Sequence, residues 1–150
     1  MNGRFAERRM NKALSEGARN FALGIHEIDE EHQVLFDCLD AIVYSQNTSF
    51  RDSQVFESLE RLTDYSRTHF RVEECLMRMF DYPDLEAHRN EHSYFIDSLG
   101  LLRTKLLSED TSPALATFLT EWLLKHIKEV DSKYVDFFRL QQGPTIASIA

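Results

Sequence analysis

Histidine and glutamate residues fall on the same helical stripes as the apolar residues of this chain, and this feature constrains the fold most strongly. Inward positions of a bundle helix recur at alternating steps of three and four residues. The segment HFRVEECLM places His69 and Glu73 one turn apart on such a stripe, and the segment HRNEH repeats the spacing with His88 and His92. The chain must therefore form a helical core that accommodates polar side chains.

Four segments carry stripes of this kind. The first stripe comprises Ile28, His32, Leu35, Leu39 and Ile42, and the second comprises Val55, Leu59, Leu62, Ser66, His69, Glu73, Leu76 and Phe80. The third comprises Leu85, His88, His92, Phe95, Leu99, Leu102 and Leu106, and the fourth comprises Leu115, Leu119, Trp122 and His126. Short connections make neighbouring helices antiparallel, so the sequence predicts an all-α fold, an up-down-up-down antiparallel four-helix bundle with an N-terminal arm.

Capping residues predict where the helices begin. Asp29 is the expected N-cap of the first helix, and Pro83 is the expected first residue of the third helix. Ser112 and Pro113 are the expected N-cap and first residue of the fourth. The predicted segments are an arm or short helix over residues 1–22, the bundle over 23–140 and a C-terminal tail over 141–150.

Composition and charge exclude several classes of partner. The chain has 150 residues, 43% apolar and 28% charged, which suits one soluble domain. A net charge of −8 disfavours nucleic acid and anionic membrane surfaces. No apolar run could cross a bilayer, and the N-terminus has no secretory signal, so a cytoplasmic protein is predicted. Cys38 and Cys75 are predicted to be reduced thiols in the core, with an isolated disulfide as the less favoured alternative.

The stripes contain five of the six histidines together with one glutamate: His32, His69, His88, His92, His126 and Glu73. His26 precedes the first stripe and is predicted to lie at the surface. A single histidine on such a stripe is more often a hydrogen-bonded core residue than a metal ligand. However, each unpartnered buried polar group costs about 1–3 kcal/mol, and the stripes contain no arginine or lysine. A shared metal cation would remove this cost, so the sequence predicts a metal site.

Asp131 is a seventh candidate ligand, although it follows His126 by five residues. Five residues of an ideal α-helix place two side chains about 140° apart. Val135 and Phe138 resume the apolar stripe in register with Asp131, so one extra residue in a single wide π-turn would bring both side chains inward. The sequence predicts a π-bulge here, and regular helical bonding through Lys128–Asp131 would contradict it.

Five imidazoles and two carboxylates suit two transition-metal ions better than one ion. Structural zinc uses four ligands and favours thiolates, whereas calcium and magnesium prefer oxygen. Seven nitrogen and oxygen ligands exceed what one first-row ion binds, which favours two ions bridged by the carboxylates. The four glutamates and two ExxH motifs of ferritin-like proteins are not found on these stripes. Iron rich in nitrogen ligands is expected to bind oxygen rather than cleave it.

The segments GIHEIDEEHQVLF, HFRVEECLM, YPDLEAHRNEHSYF and WLLKHIKEVDSKY together resemble the hemerythrin family in its bacterial form, over about residues 21–138. The resemblance implies two iron ions (Fe2+/Fe3+) with a bridging oxo or hydroxo group. One iron would be bound by the three histidines His88, His92 and His126, and the other by His32 and His69. Glu73 and Asp131 would bridge the two ions.

The resemblance also implies that dioxygen binds reversibly as a hydroperoxide on the two-histidine iron. The positions that match the family's apolar oxygen pocket are Leu35, Phe70, Trp122, Leu123 and Ile127. Ordinary core packing explains an apolar residue at each of these positions equally well.

The function that the resemblance favours is oxygen transport, storage or delivery, without enzyme activity, and an oxygen-using enzyme is a candidate partner. The alternatives are an oxygen or redox sensor that uses the same site, a di-iron enzyme acting on peroxide or nitric oxide, and metal sequestration. No signalling domain accompanies the bundle, and no further acid or base lies on the stripes, which favours the carrier. The sequence predicts no oligomeric state.

Overall fold

The computed structural model describes residues 21–45, 51–106 and 112–142. Helix α1 spans His26–Ser45, α2 spans Arg51–Met79, α3 spans Leu85–Leu106 and α4 spans Ser112–Lys125. A π-helical turn, His126–Asp131, joins α4 directly to α5, Ser132–Gln142. Residues 1–20 of the predicted arm and residues 143–150 of the predicted tail lie outside the described residues. The limits of these two segments therefore remain predictions.

The helices form the predicted up-down-up-down four-helix bundle, in which α4, the π-turn and α5 together make the fourth helix. Helix α1 packs on α2, α2 packs on α3, and α4 contacts both α3 and α1. The inner faces of the helices therefore surround one common axis. Among the helices of the described ranges, none is both long enough and apolar enough to cross a membrane.

The buried apolar residues form two clusters along this axis. Phe70 and Ile127 belong to the larger cluster, whereas Met77 and Tyr134 belong to the smaller one. On α2, Glu73 lies between Phe70 and Met77, one turn from each. The polar residues of the stripes are therefore enclosed between two apolar layers.

Asp29 is not the N-cap of the first helix, which begins three residues earlier at His26. The backbone N–H of Asp29 already makes a helical hydrogen bond, 2.9 Å, to the carbonyl of Ile25. Its carboxylate accepts hydrogen bonds from the backbone N–H groups of Leu23 and Gly24, at 2.7 and 3.0 Å. Asp29 therefore stabilises the segment before the helix, which the local sequence pattern does not reveal.

Pro83 is also not the first residue of the third helix, because it lies in the turn that precedes Leu85. The end of α2 requires this turn. Asp81 has a φ of 53°, and the backbone N–H of Tyr82 bonds to the carbonyl of Met77 at 2.9 Å. This Schellman arrangement ends the helix in a left-handed residue and packs Tyr82 with Met77. It reverses the chain before α3 begins.

The two cysteines differ in burial. Cys38 is buried in the larger cluster as predicted, and burial raises the pKa of its thiol. The prediction for Cys75 was wrong, because Cys75 is exposed on the outer face of α2. Two residues beyond the inward Glu73, a helix has turned by about 200°, so the side chain points away from the core. Both cysteines are free thiols, as predicted.

Gly24 provides a test of the segment that precedes α1. Its φ is 92°, and the guanidinium of Arg139 donates to the carbonyl of Leu23 while occupying the position of an added Cβ. We expect Gly24→Ala to lower the free energy of unfolding by about 1–2 kcal/mol, measured by urea denaturation.

Gly100 is the matched control, because it lies within α3 with open space around it. Gly100→Ala should raise the free energy of unfolding by about 1 kcal/mol, since alanine favours the helix. Equal stability of Gly24→Ala and the unaltered protein would contradict the described role of Gly24.

Candidate metal centre

Seven side chains meet between the two apolar clusters, and each is 3% exposed or less. Their nitrogen and oxygen atoms form two overlapping groups in which all atoms lie within 4.8 Å of one another. The five-residue group consists of Glu73, His88, His92, His126 and Asp131. The four-residue group consists of His32, His69, Glu73 and Asp131. The structure thus brings together all seven residues that the sequence nominated, and His26 lies at the surface beside Glu30.

The π-turn explains how His126 and Asp131 both reach the centre. The backbone N–H of Ser132 bonds to the carbonyl of Ile127, five residues earlier, as a π-helix requires. The wider turn places His126 Nε2 3.0 Å from Asp131 Oδ1, although five α-helical residues would separate the two side chains. The predicted π-bulge is confirmed.

The two oxygens of Glu73 face different sets of imidazoles. Oε1 lies 3.1 Å from Nε2 of His69 and 3.6 Å from Nε2 of His32. Oε2 lies 3.1 Å from Nε2 of His92 and 3.7 Å from Nε2 of His88. Glu73 therefore lies between the two groups with one oxygen directed to each.

The two oxygens of Asp131 also face different sets of imidazoles. Its Oδ1 lies 3.1 Å from Nε2 of His88 and 3.0 Å from Nε2 of His126. Its Oδ2 lies 3.1 Å from Nε2 of His32. Both carboxylates have one oxygen on each side, with three imidazoles on one side and two on the other. This is the arrangement that two bridged cations require.

The inward atoms have the hydrogen-bonding state expected of metal ligands. Considering partners in the described ranges, no hydrogen bond is made by Nε2 of His32, His88, His92 or His126, nor by Glu73 Oε2 or either Asp131 oxygen. Several of them nevertheless lie 3.0–3.1 Å apart. Adjacent ligands of an octahedral ion with bonds of about 2.1 Å are separated by about 3.0 Å. The donor set and its spacing therefore fit a pair of six-coordinate cations.

Protons on the imidazoles compensate the two carboxylates when no cation does. Burial disfavours protonation of His69, but the charge of Glu73 and the hydrogen bond that the ring donates to Glu31 outweigh this effect and raise the pKa of His69 to about 10. For His88, burial is similarly outweighed by Asp131 and Glu73, which raise its pKa to about 9. Burial and Glu73 act to raise the pKa of Asp131, but His126 and His32 lower it below its usual range.

Tyr134 contacts the centre and was not identified from the sequence. Its hydroxyl donates a hydrogen bond of 2.8 Å to Glu73 Oε1, and the side chain is fully buried. Burial, together with the negative charges of Glu73 and Asp131, raises the pKa of Tyr134, so the phenol keeps its proton. Its position three residues after Asp131 is the one signal that could have indicated an inward side chain.

Two glutamates outside the centre were also missed. Glu31 Oε2 lies 2.5 Å from Nδ1 of His69, and Glu74 Oε1 lies 2.9 Å from Nδ1 of His92. Both glutamates are partly exposed and lie off the apolar stripes, where carboxylates are usually solvated. Only their adjacency to site residues distinguishes them in the sequence.

The five predicted pocket residues pack in or against the larger apolar cluster: Leu35, Phe70, Trp122, Leu123 and Ile127. Phe70 stacks on the ring of His92 with centroids 3.8 Å apart, and Trp122 stacks on His126 at 4.4 Å. Trp122 is only half-buried and lines a surface cleft with Tyr94 and Lys125. The apolar layer thus lies directly against the imidazoles.

The family model described as the hemerythrin HHE cation binding domain matches residues 23–138. The chain belongs to the hemerythrin family. The bacteriohemerythrin of Stenotrophomonas maltophilia is 35% identical over 115 residues, covering 76% of this chain and 74% of that protein. The hemerythrin-like protein of Naegleria gruberi is 29% identical over 116 residues, covering 77% and 86%. A crystal structure of wild-type hemerythrin superimposes with a TM-score of 0.72 at 27% identity, covering 79% and 92%.

These comparisons confirm the resemblance and the four-helix fold that the motifs predicted. Hemerythrin implies a non-haem di-iron site, and the buried cluster of this chain is able to hold metal. The family assignment and the geometry therefore agree on the class of centre.

The raised pKa values of His69 and His88 predict how the metal-free protein responds to pH. Protonated imidazoles contribute stability that is fully present below the unfolded pKa of about 6.5. This contribution is lost as the pH rises through the folded values of about 9 and about 10. We expect the free energy of unfolding to fall by roughly 3–6 kcal/mol between pH 7 and pH 10.5, measured by denaturation followed by circular dichroism.

The metal-loaded protein is the control, because an imidazole that binds a metal ion is already deprotonated. Its stability should decline much less over the same range. An equally steep decline, or a flat profile for the metal-free protein, would contradict the proposed charge compensation.

Proposed function

We propose that the seven buried side chains bind two iron ions, and that this hemerythrin binds dioxygen reversibly as a carrier or store. The observation that supports the proposal is the division of both carboxylates between three imidazoles on one side and two on the other. His88, His92 and His126 would hold one ion, and His32 and His69 the other, with Glu73 and Asp131 bridging. The ion with two imidazoles would have fewer protein ligands and would therefore have room for an exogenous molecule.

Bound iron would supply the electrons that make dioxygen binding reversible. The protein's own residues would fix the geometry around it. Tyr134 donates to Glu73 and fixes the rotation of this carboxylate between the two groups. The stacked rings of Phe70 and Trp122 limit the movement of His92 and His126. These contacts would keep the ligand positions fixed while the charge of the centre changes.

Exclusion of water supports a carrier rather than an enzyme. Leu35, Leu123 and Ile127 are each at most 3% exposed and lie in the apolar layer against the imidazoles. Such a layer limits the access of water and protons to a bound ligand, which slows irreversible oxidation. A cytoplasmic location and an oxygen-using enzyme as partner belong to the same proposal.

The direct test is iron content and visible absorption of the purified protein, reduced without air and then exposed to oxygen. We expect two irons per chain and an absorption band that appears with oxygen and disappears when oxygen is removed. His32→Ala should lower the iron content to about one per chain or less. His26→Ala is the matched control, because His26 is exposed and lies outside the centre. Iron content unaffected by His32→Ala would contradict the ligand assignment.

Leu123 tests the role of the apolar layer. Leu123→Ala removes buried apolar volume beside the centre, so water should enter and the oxygen-bound form should oxidise several times faster. The decay of the oxygen-dependent band measures the rate. Leu101→Ala is the control, because this leucine is 61% exposed. Equal decay rates in the two variants would contradict the protective role of Leu123.

A further inference from the structure

The outward nitrogen of His69 contacts a glutamate from the neighbouring helix. Nε2 of His69 faces Glu73 in the centre, while Nδ1 lies 2.5 Å from Oε2 of Glu31. His69 is on α2 and Glu31 is on α1. When Nε2 binds a cation, Nδ1 carries the ring proton and donates a hydrogen bond to the carboxylate. This hydrogen bond fixes the orientation of the ring and makes Nε2 a stronger electron donor.

The same arrangement recurs one helix further along the bundle. Nδ1 of His92, on α3, lies 2.9 Å from Oε1 of Glu74, on α2. Each glutamate is the sequence neighbour of a residue of the centre, since Glu31 precedes His32 and Glu74 follows Glu73. Helices α1 and α2 therefore each contribute side chains to the centre and also support a histidine on the next helix.

The remaining three imidazoles lack this support. Considering partners among residues 21–45, 51–106 and 112–142, Nδ1 of His32, His88 and His126 makes no hydrogen bond. Nδ1 of His126 lies 4.0 Å from Oε2 of Glu91, which is beyond hydrogen-bonding distance. Each of the two groups of the centre thus contains one histidine hydrogen-bonded to a glutamate, His69 in the four-residue group and His92 in the five-residue group.

The two pairs also differ from each other. The Glu31–His69 pair is the shorter, at 2.5 Å against 2.9 Å. The guanidinium of Arg89 lies 3.5 Å from Oε2 of Glu74, so part of the negative charge of Glu74 is directed away from His92. Moreover, the four-residue group has only two imidazoles. Each of them would therefore supply a larger share of the electron donation to an ion bound there.

We propose that Glu31 and Glu74 are separate positioning residues for the two metal ions, Glu31 acting through His69 and Glu74 through His92. This inference rests on the proposed function, because it concerns the ions of the same centre. Glu31 would act on the ion that would have room for an exogenous ligand, and its hydrogen bond to His69 is the shorter of the two. We therefore expect the larger effect from loss of Glu31.

Stepwise titration with Co2+ in the absence of oxygen tests the proposal without relying on oxygen binding. The variants are Glu31→Gln and Glu74→Gln, which retain side-chain size and remove the charge. Each should weaken one of two Co2+ binding steps by roughly 10–100-fold and leave the other within about threefold. The double variant should weaken both steps. Glu27→Gln is the matched control, because Glu27 is an exposed residue of α1.

Two results would overturn the proposal. Glu31→Gln could bind Co2+ as tightly as Glu27→Gln does, which would mean that the hydrogen bond has no effect on the ion. Alternatively, Glu31→Gln and Glu74→Gln could weaken the same step, which would mean that the two glutamates do not act on separate ions.

Proton NMR of the metal-free protein separates this inference from the proposed function. A hydrogen bond as short as Glu31–His69 shifts the Nδ1 proton far downfield, and Glu31→Gln should remove this signal while Glu74→Gln retains it. Persistence of the signal in Glu31→Gln would overturn the positioning role. If the signal behaves as expected but the unaltered protein binds fewer than two Co2+ ions, the proposed di-metal function fails and the orientation of His69 by Glu31 stands.

Discussion

The contact of two buried carboxylates with five imidazoles is the interaction on which the rest of the structure depends. Glu73 and Asp131 are at most 1% exposed, and unpaired charges at that depth are strongly unfavourable. Because imidazoles come from all four helices of the bundle, the centre fixes how the helices approach one another. The two apolar clusters pack on either side of the centre, so the polar residues lie in the middle of the core.

The π-turn illustrates how local backbone geometry follows from this requirement. A regular helix would have directed either His126 or Asp131 away from the axis. The six-residue π-helix brings both inward, and Val135 and Phe138 then continue the apolar face in the new register. Without Asp131 the charge between His88, His126 and His32 would be lost, and only Glu73 would connect the two groups. The less favourable helical geometry is therefore maintained by the contacts that His126 and Asp131 make in the centre.

Much of the fold and of the centre could be predicted from periodicity, because inward positions recur regularly and a histidine such as His32 is conspicuous among leucines. The π-turn was predictable for the same reason, since the phase changes between His126 and Val135. Residues outside the stripes were not. Glu31 and Glu74 look like solvated carboxylates, and only the tertiary structure shows that they reach a neighbouring helix. Two helix starts were predicted wrongly. Asp29 bonds to the backbone of the segment before α1 instead of capping the helix. Pro83 lies in a turn that depends on the left-handed backbone of Asp81.

Anomalous diffraction at the iron edge, from crystals of the iron-loaded protein, tests most directly whether one buried cluster holds two bridged cations. We expect two iron peaks about 3.5 Å apart, with Glu73 and Asp131 each contacting both and the imidazoles divided three and two. A single peak within the cluster, or two peaks of which Asp131 contacts only one, would contradict it.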